Sequence, residues 1–281
     1  GKHRQPRMLA LSLQTSSIWL LVAASAWSGY ALRGLMWVQS VSMAIIGIAI
    51  WQYLNKMFAF ELPQRNGQEI RAEYFRKLVQ FVPVGLMIGI LSPLSMLLIR
   101  GMLSSSLSWS DVGFLQALWR STEWVTATAA GVLSLIFLPR FSATYPTIHG
   151  RPRPFQKEML RAAVLVLIPT ACLLLLIYFN QRYVLALLYD THFVVSNETA
   201  AWILLGSWIR IASWVFLFGL FAARRTRLIM AGEVLSLPLY VLLLWQFAEG
   251  MTLERTALLY LVSYLIYLVF NAVALLYVSR N

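Results

Sequence analysis

The chain has 281 residues, of which 59% are hydrophobic and 12% charged, and its mean hydropathy is +0.69. That balance excludes an ordinary soluble domain, in which about a quarter of the residues are charged, and it predicts an all-α polytopic membrane protein. The net charge of +12 and the pI near 10.2 do not call for a nucleic-acid partner, because the basic residues form short clusters between apolar runs instead of one patch.

A hydrocarbon core of about 30 Å needs roughly 20 apolar residues in a helix. Eight runs of that kind follow one another, at about 9–30, 36–57, 82–100, 112–138, 160–179, 199–222, 229–247 and 256–277. The first is no signal peptide: its apolar stretch is long, a second span follows at once, and no small-residue cleavage site closes it. The segment ELPQRNGQEIRAEYFRKLVQF separates the second and third runs and predicts an amphipathic surface helix from Gln68 to Phe81. The third run carries Pro93, the fourth Arg120 and Glu123, and the fifth Pro169 and Cys172, the single cysteine. One cysteine supplies neither a disulfide framework nor a metal-ligand cluster, and in an apolar run it reads as a packed thiol. NQRYVLALLYDTHFVVSNET then forms the longest outer loop, the sixth run carries Arg210, and the seventh carries Glu233 and Pro238.

Orientation follows from Lys and Arg. With a cytoplasmic N-terminus, about seventeen of the 23 basic residues fall on the cytoplasmic side, as the positive-inside bias requires. They lie in four groups and at the end: Lys2 to Arg7, Lys56 to Lys77, Arg140 to Arg161, Arg224 to Arg227, and Arg280. Arg33, Arg100, Arg182 and Arg255 fall outside. Both termini are therefore expected in the cytoplasm, and the basic excess faces the anionic inner leaflet.

Arg120 and Arg210 belong to no loop. Arg120 lies eight residues, about 12 Å, and Arg210 eleven residues, about 17 Å, from the outer end of its run, too deep for easy snorkelling. A charge at that depth costs about 2.5–3.5 kcal/mol on insertion scales and is expected to face protein or a water-filled cavity. Stepping 100° per residue, Gly113, Gln116, Glu123, Ala127 and Ser134 share the face of Arg120, while Leu115, Leu118, Trp119, Val125 and Val132 mostly lie elsewhere. Gly206, Ser207, Ser213 and Trp214 surround Arg210 in the same way. Two such stripes can line one aqueous cavity; the competing reading is a local pair of Arg120 with Glu123 at i,i+3, which leaves Arg210 and Glu233 unexplained. Pro93, Pro169 and Pro238 each permit a bend, in the service of motion or of packing.

The run SPLSMLLIRGMLSSSLSWSDVGFLQALWRSTEWV, ending in FLPRFS, and the later GSWIRIASWVFLFGLFAARRTRLIMAGEV resemble segments of the Wzx-type O-antigen and enterobacterial common antigen flippases. These belong to the multidrug/oligosaccharidyl-lipid/polysaccharide exporter superfamily. The likeness covers roughly residues 80–245 in order and spacing. It implies a MATE-like transporter of two six-helix bundles working by alternating access. Residues 1–80 would then hold the last two helices of the N-terminal bundle and a cytoplasmic connection, and residues 81–281 the C-terminal six-helix bundle. On that alignment the chain is the last eight helices of a twelve-helix protein, in keeping with Gly1 where an initiator Met would stand.

The resemblance also implies a cargo, an undecaprenyl-pyrophosphate-linked oligosaccharide crossing the bacterial inner membrane, with membrane lipid, a polysaccharide polymerase and a chain-length regulator as partners. Such a cargo needs a wet cationic cavity for its head while its tail stays in lipid. Arg120, Arg210 and Gln116 are the candidate substrate-binding residues, because a guanidinium stays ionised at depth and its fork suits phosphate oxygens. Glu123 and Glu233 would orient the arginines or bind a coupling cation. No Walker A, GxGxxG, HExxH or GxSxG pattern is present, so no cofactor, metal or ATP-driven step is expected and the chain does not read as an enzyme. A membrane-integral polymerase or ligase would carry a substantial outer loop with spaced acid and base groups. Asp190, His192 and Glu198 in the outer loop lack such spacing, and His3 and His149 sit in basic segments. A non-transporting scaffold of the biosynthetic complex is the third reading.

The charge alternation yields a direct test. Single cysteines at Ser105 and Thr191 should be labelled by an impermeant thiol reagent on intact cells, while those at Asn66, His149 and Thr226 should react only once the inner face is opened. Labelling of position 149 from outside overturns the topology.

Overall fold

The structure, a computed structural model, describes residues 82–145, 153–188 and 195–280. The chain divides into two compact units, residues 1–75 and 76–281, and every described residue belongs to the second. The runs expected at 9–30 and 36–57 and the surface helix from Gln68 to Phe81 lie outside the described residues.

Among the described residues all regular structure is helical: α1 (Val82–Ser106), α2 (Trp109–Val132), α3 (Leu138–Thr144), α4 (Arg153–Phe179), α5 (Gln181–Leu188), α6 (Asn197–Ala222), α7 (Thr226–Val234), α8 (Leu237–Gln246) and α9 (Leu253–Arg280). They build six rods long and apolar enough to cross a bilayer: Val82–Ser106, Trp109–Thr144, Pro154–Phe179, Asn197–Ala222, Thr226–Gln246 and Leu253–Ser279. The chain is an all-α polytopic membrane protein, and the six rods fall on the third to eighth apolar runs of the sequence, most of them extended at the ends. The loop that follows α4 is not bare, since α5 occupies part of it. Leu86, Ile90 and Leu97 of α1 and Leu165, Ile168 and Leu176 of α4 are exposed. Such a surface would aggregate in water and matches hydrocarbon. Cys172 is exposed as well, which corrects the packed-thiol expectation: its position on α4 turns it away from the core.

Three helices begin at the same end of the bundle and carry the same chemistry. Ser108 accepts a hydrogen bond from the Asp111 amide at 3.1 Å at the start of α2. Ser196 accepts from the Thr199 amide at 3.2 Å at the start of α6, and Thr252 from the Arg255 amide at 3.2 Å at the start of α9. Each side chain satisfies a backbone donor that has no partner inside its helix. Asp111, Glu198 and Glu254 add a carboxylate to the first turns, where the helix dipole favours one. At the opposite end Glu158 lies 3.9 Å from Arg140 and 3.8 Å from Arg161, and Arg224, Arg225 and Arg227 are exposed around the α6 to α7 turn.

The centre of the bundle is α6, with 67% of its apolar stretch buried. It packs chiefly on α9 and also on α2, α3, α4 and α7. Lipid tails are as apolar as leucine, so helices in a bilayer associate through close packing and polar contacts, and small residues permit both. A Cβ on residue 206 would lie 2.6 Å from the Tyr260 ring, and one on residue 219 would lie 2.8 Å from Leu275. Polar bonds cross the same contacts. Asn271 Nδ2 donates to Ser213 Oγ at 2.8 Å, Ser207 Oγ to Thr122 Oγ1 at 3.2 Å, and Trp208 Nε1 to the Leu167 carbonyl at 3.0 Å.

Four prolines lie well inside the rods and behave differently. Pro93 and Pro169 stay inside continuous helices; beside the second, Thr170 Oγ1 takes up the Val166 carbonyl at 2.7 Å. Pro139 follows a wider segment, Leu133–Phe137, whose end is bonded from the Leu138 amide back to the Leu133 carbonyl, five residues away. That pattern accommodates one extra residue in the turn just ahead of a residue with no N–H to give. Before Pro238 the rod breaks outright. The Leu235 amide bonds Gly232 at 2.8 Å and the Ser236 amide bonds Glu233 at 3.3 Å, which closes α7 in a tight turn before α8 begins.

The α6 to α9 contact predicts that Gly206→Val lowers stability by about 1–3 kcal/mol, the usual cost of overpacking. Gly113→Ala, where a Cβ would meet nothing within 4 Å, is expected to leave stability unchanged or slightly raised. Thermal unfolding of the purified variants in one detergent measures both.

Candidate functional site

Arg210 sits thirteen residues past the start of α6, about 20 Å along a rod of about 39 Å, and so at half depth. Its guanidinium carbon lies 4.8 Å from the ring centroid of Trp214, one turn on, and 5.6 Å from that of Tyr264 on α9. Ring faces attract the cation without neutralising it. Glu233 enters from the last turn of α7 and accepts a hydrogen bond from Tyr267 Oη at 3.1 Å. Arg210 and Glu233 line one cavity of about 160 Å³ together with Ser92, Ser236, Pro238 and the two tyrosines. No ion pair within 4 Å joins them, since the described ion pairs are those of Glu158.

The break before Pro238 opens this cavity. A continuous helix would carry its backbone past Glu233 and Ser236 with all donors engaged. Here Ser236 and Leu237 border the cavity at the start of α8, where first-turn amides have no helical partner. Broken helices that bring backbone groups to a site near half depth are a recurrent device of transport proteins.

Arg120 lies eleven residues past the start of α2, about 17 Å into a rod of 36 residues, and lines a different and smaller cavity of about 40 Å³ with Gln116, Glu123 and Arg100. Arg120 and Glu123 are both exposed, and the described ion pairs do not include them, so the i,i+3 pair does not account for their presence. Among the described residues the two arginines therefore line separate cavities. The division has a visible cause. Trp119, on the wall of the smaller cavity, meets Tyr260 edge-on at 5.0 Å, and Tyr260 meets Tyr264, on the wall of the larger, at 4.8 Å. Tyr240 closes the cluster at 5.6 Å from Tyr260.

The stripe assigned to α2 needs one amendment, because Leu115 and Trp119, placed off the polar face, line the smaller cavity too. Arg100, assigned to an outer loop, is a wall residue of the same cavity within α1. The sequence signal for the tyrosines was present but unread: Tyr260, Tyr264, Tyr267 and Asn271 recur at helical spacing in YLVSYLIYLVFN. A third cavity, of about 440 Å³, lies among the capped starts of α2, α6 and α9, with Asp111, Ser196 and Glu254 on its wall. Among the described residues no three His, Cys, Asp or Glu side chains gather as metal ligands would. Asp190, His192 and His149 lie outside the described residues.

The buried hydrogen bond offers a measurement. Tyr267→Phe should lower stability by about 1.5–3 kcal/mol, the range for a bond to a charged group. Glu233→Gln should cost less when combined with Tyr267→Phe than alone, and thermal unfolding across the double-mutant cycle measures that coupling.

No known protein-family model matches the chain, and neither a curated protein nor a solved structure shows significant similarity to it.

Proposed function

We propose that the chain is part of a transporter that moves a lipid-linked, anionic glycan across a bacterial inner membrane by alternating access. The observation that carries the reading is the placement of Arg120 and Arg210, two guanidinium groups within membrane-crossing rods, each on a cavity wall and neither paired with the nearby glutamate. A charge kept there at about 2.5–3.5 kcal/mol, without a structural ion pair to explain it, needs a ligand. A pyrophosphate is the anion that a planar five-donor fork at fixed charge suits best. The apolar outer faces of α1 and α4 provide the surface along which a polyprenyl tail stays in lipid. The Arg-rich end of the bundle faces the cytoplasm and the capped, acid-bearing end the opposite side, in keeping with the positive-inside bias. The flippase resemblance of residues 80–245 supports the same cargo class, and Glu123 and Glu233 then orient the arginines or bind a coupling cation.

Arg120→Ala and Arg210→Ala in the full-length transporter are each expected to cripple glycan export while the protein still inserts, since loss of a mid-depth charge eases insertion. Lys should rescue only in part, keeping the charge and losing the fork. In the export-deficient cells the lipid-linked repeat unit should accumulate intact on the cytoplasmic leaflet. Single repeat units at the cell surface would favour a polymerase instead. Restored export in a variant combining Arg120→Ala with Glu123→Gln would remove Arg120 from the cargo site. Glycan display and protein abundance are measured on the same cultures.

A further inference from the structure

Arg210 and Glu233 face one cavity without closing on each other. In a low-dielectric interior an unpaired guanidinium and carboxylate attract strongly, and collapse into contact is the expected outcome. Each is restrained from its own side, the carboxylate by Tyr267 Oη at 3.1 Å and the guanidinium by the faces of Trp214 and Tyr264. The space between is the cavity of about 160 Å³. That is room for about five waters at roughly 30 Å³ each, and it is well below the ~300–1,000 Å³ of pockets for drug-sized ligands.

We propose that this cavity is a subsite for a single anionic sugar ring. Arg210 receives the anionic oxygens, Glu233 accepts hydroxyl protons of the same ring, and Ile88 and Pro238, both on the cavity wall, cover its C–H surface. A bare inorganic anion satisfies Arg210 and sets a negative charge against Glu233. A neutral sugar satisfies Glu233 and leaves the guanidinium without a counter-charge. A ring that carries both functions satisfies both walls at once, and a site built for two polar partners discriminates against a ligand that offers one. The anionic oxygen comes from a ring carboxylate or from a phosphate on the anomeric carbon, one chemistry at two places in a lipid-linked glycan. The assignment rests on the transport reading for the origin of the ligand, while the binding itself requires no transport.

The test is titration calorimetry on the purified chain in lipid nanodiscs with glucuronate, glucose 1-phosphate, glucose and inorganic phosphate. At least one anionic sugar should bind saturably and about tenfold or more tighter than glucose and inorganic phosphate. Arg210→Ala and Arg210→Lys should weaken that binding, the first more than the second. Glu233→Gln should narrow the preference over inorganic phosphate, and Arg182→Ala, on an exposed residue outside the three cavities, should change nothing. Binding of glucuronate alone assigns the subsite to an acidic sugar of the glycan, and binding of glucose 1-phosphate alone assigns it to the sugar at the phosphate linkage; either supports the subsite. Equal affinity for inorganic phosphate, or no saturable binding by a chain that still unfolds cooperatively, overturns it. Failure of the transport reading looks different: the sugar binds as described, and Arg210→Ala cells display glycan at the wild-type level.

Discussion

The ring of Tyr260 occupies the position a side chain at residue 206 would need. This contact lets α9 lie against α6 closely enough for polar atoms to bridge the two helices, and most of the described bundle is arranged around that pair. Asn271 reaches Ser213, Ser207 Oγ lies 3.4 Å from Tyr260 Oη, and Tyr264 comes within range of the guanidinium. Hydrocarbon gives helices no hydrophobic reason to associate. A larger residue at 206 would therefore disturb more than one van der Waals contact, because the aromatic wall of the Arg210 cavity and its polar bridges share the same backbone approach.

The aromatic cluster also decides what kind of place each charge occupies. Arg210 is held against ring faces in a cavity walled by five helices, whereas Arg120 lies exposed beside Arg100, Gln116 and Glu123. Trp119, Tyr240, Tyr260 and Tyr264 stack edge to face between the two cavities, a geometry favoured by ring quadrupoles. The two arginines thus sit in different settings, one confined and one open.

Hydropathy made the six described rods legible, because run length against bilayer thickness is a one-dimensional quantity and nothing tertiary competes with it. The placement of Arg120 and Arg210 inside their rods was legible for the same reason. Their separation into two cavities was not, since it depends on side chains of α9 whose sequence shows tyrosines at helical spacing but not the neighbour they face. The assignment of Arg100 to a loop failed because a charge closing an apolar run reads as the end of a helix. In the structure the helix continues to Ser106, its last polar residues bonded to their own backbone: Ser104 Oγ to the Gly101 carbonyl at 3.0 Å and Ser105 Oγ to the Met102 carbonyl at 2.8 Å. Pro238 announced a bend, and the full break followed from Leu235 and Ser236 leaving helical geometry ahead of it.

The wider segment Leu133–Phe137 acts as a phase shifter within one rod. A regular helix advances each residue by a constant angle, so a face followed from Arg120 would continue unchanged to the end of the span. The extra residue accommodated before Pro139 breaks that continuity, and the two ends of the rod answer to different neighbours. On the α2 side Gln116, Arg120 and Glu123 serve a cavity; beyond the shift Phe137 and Phe141 turn into the core, the latter within 5.9 Å of Phe155. One covalent helix is in this way two surfaces set at independent angles. Removing one residue from the segment would leave the rod long enough to span the membrane and still aim one of those surfaces at the wrong partner.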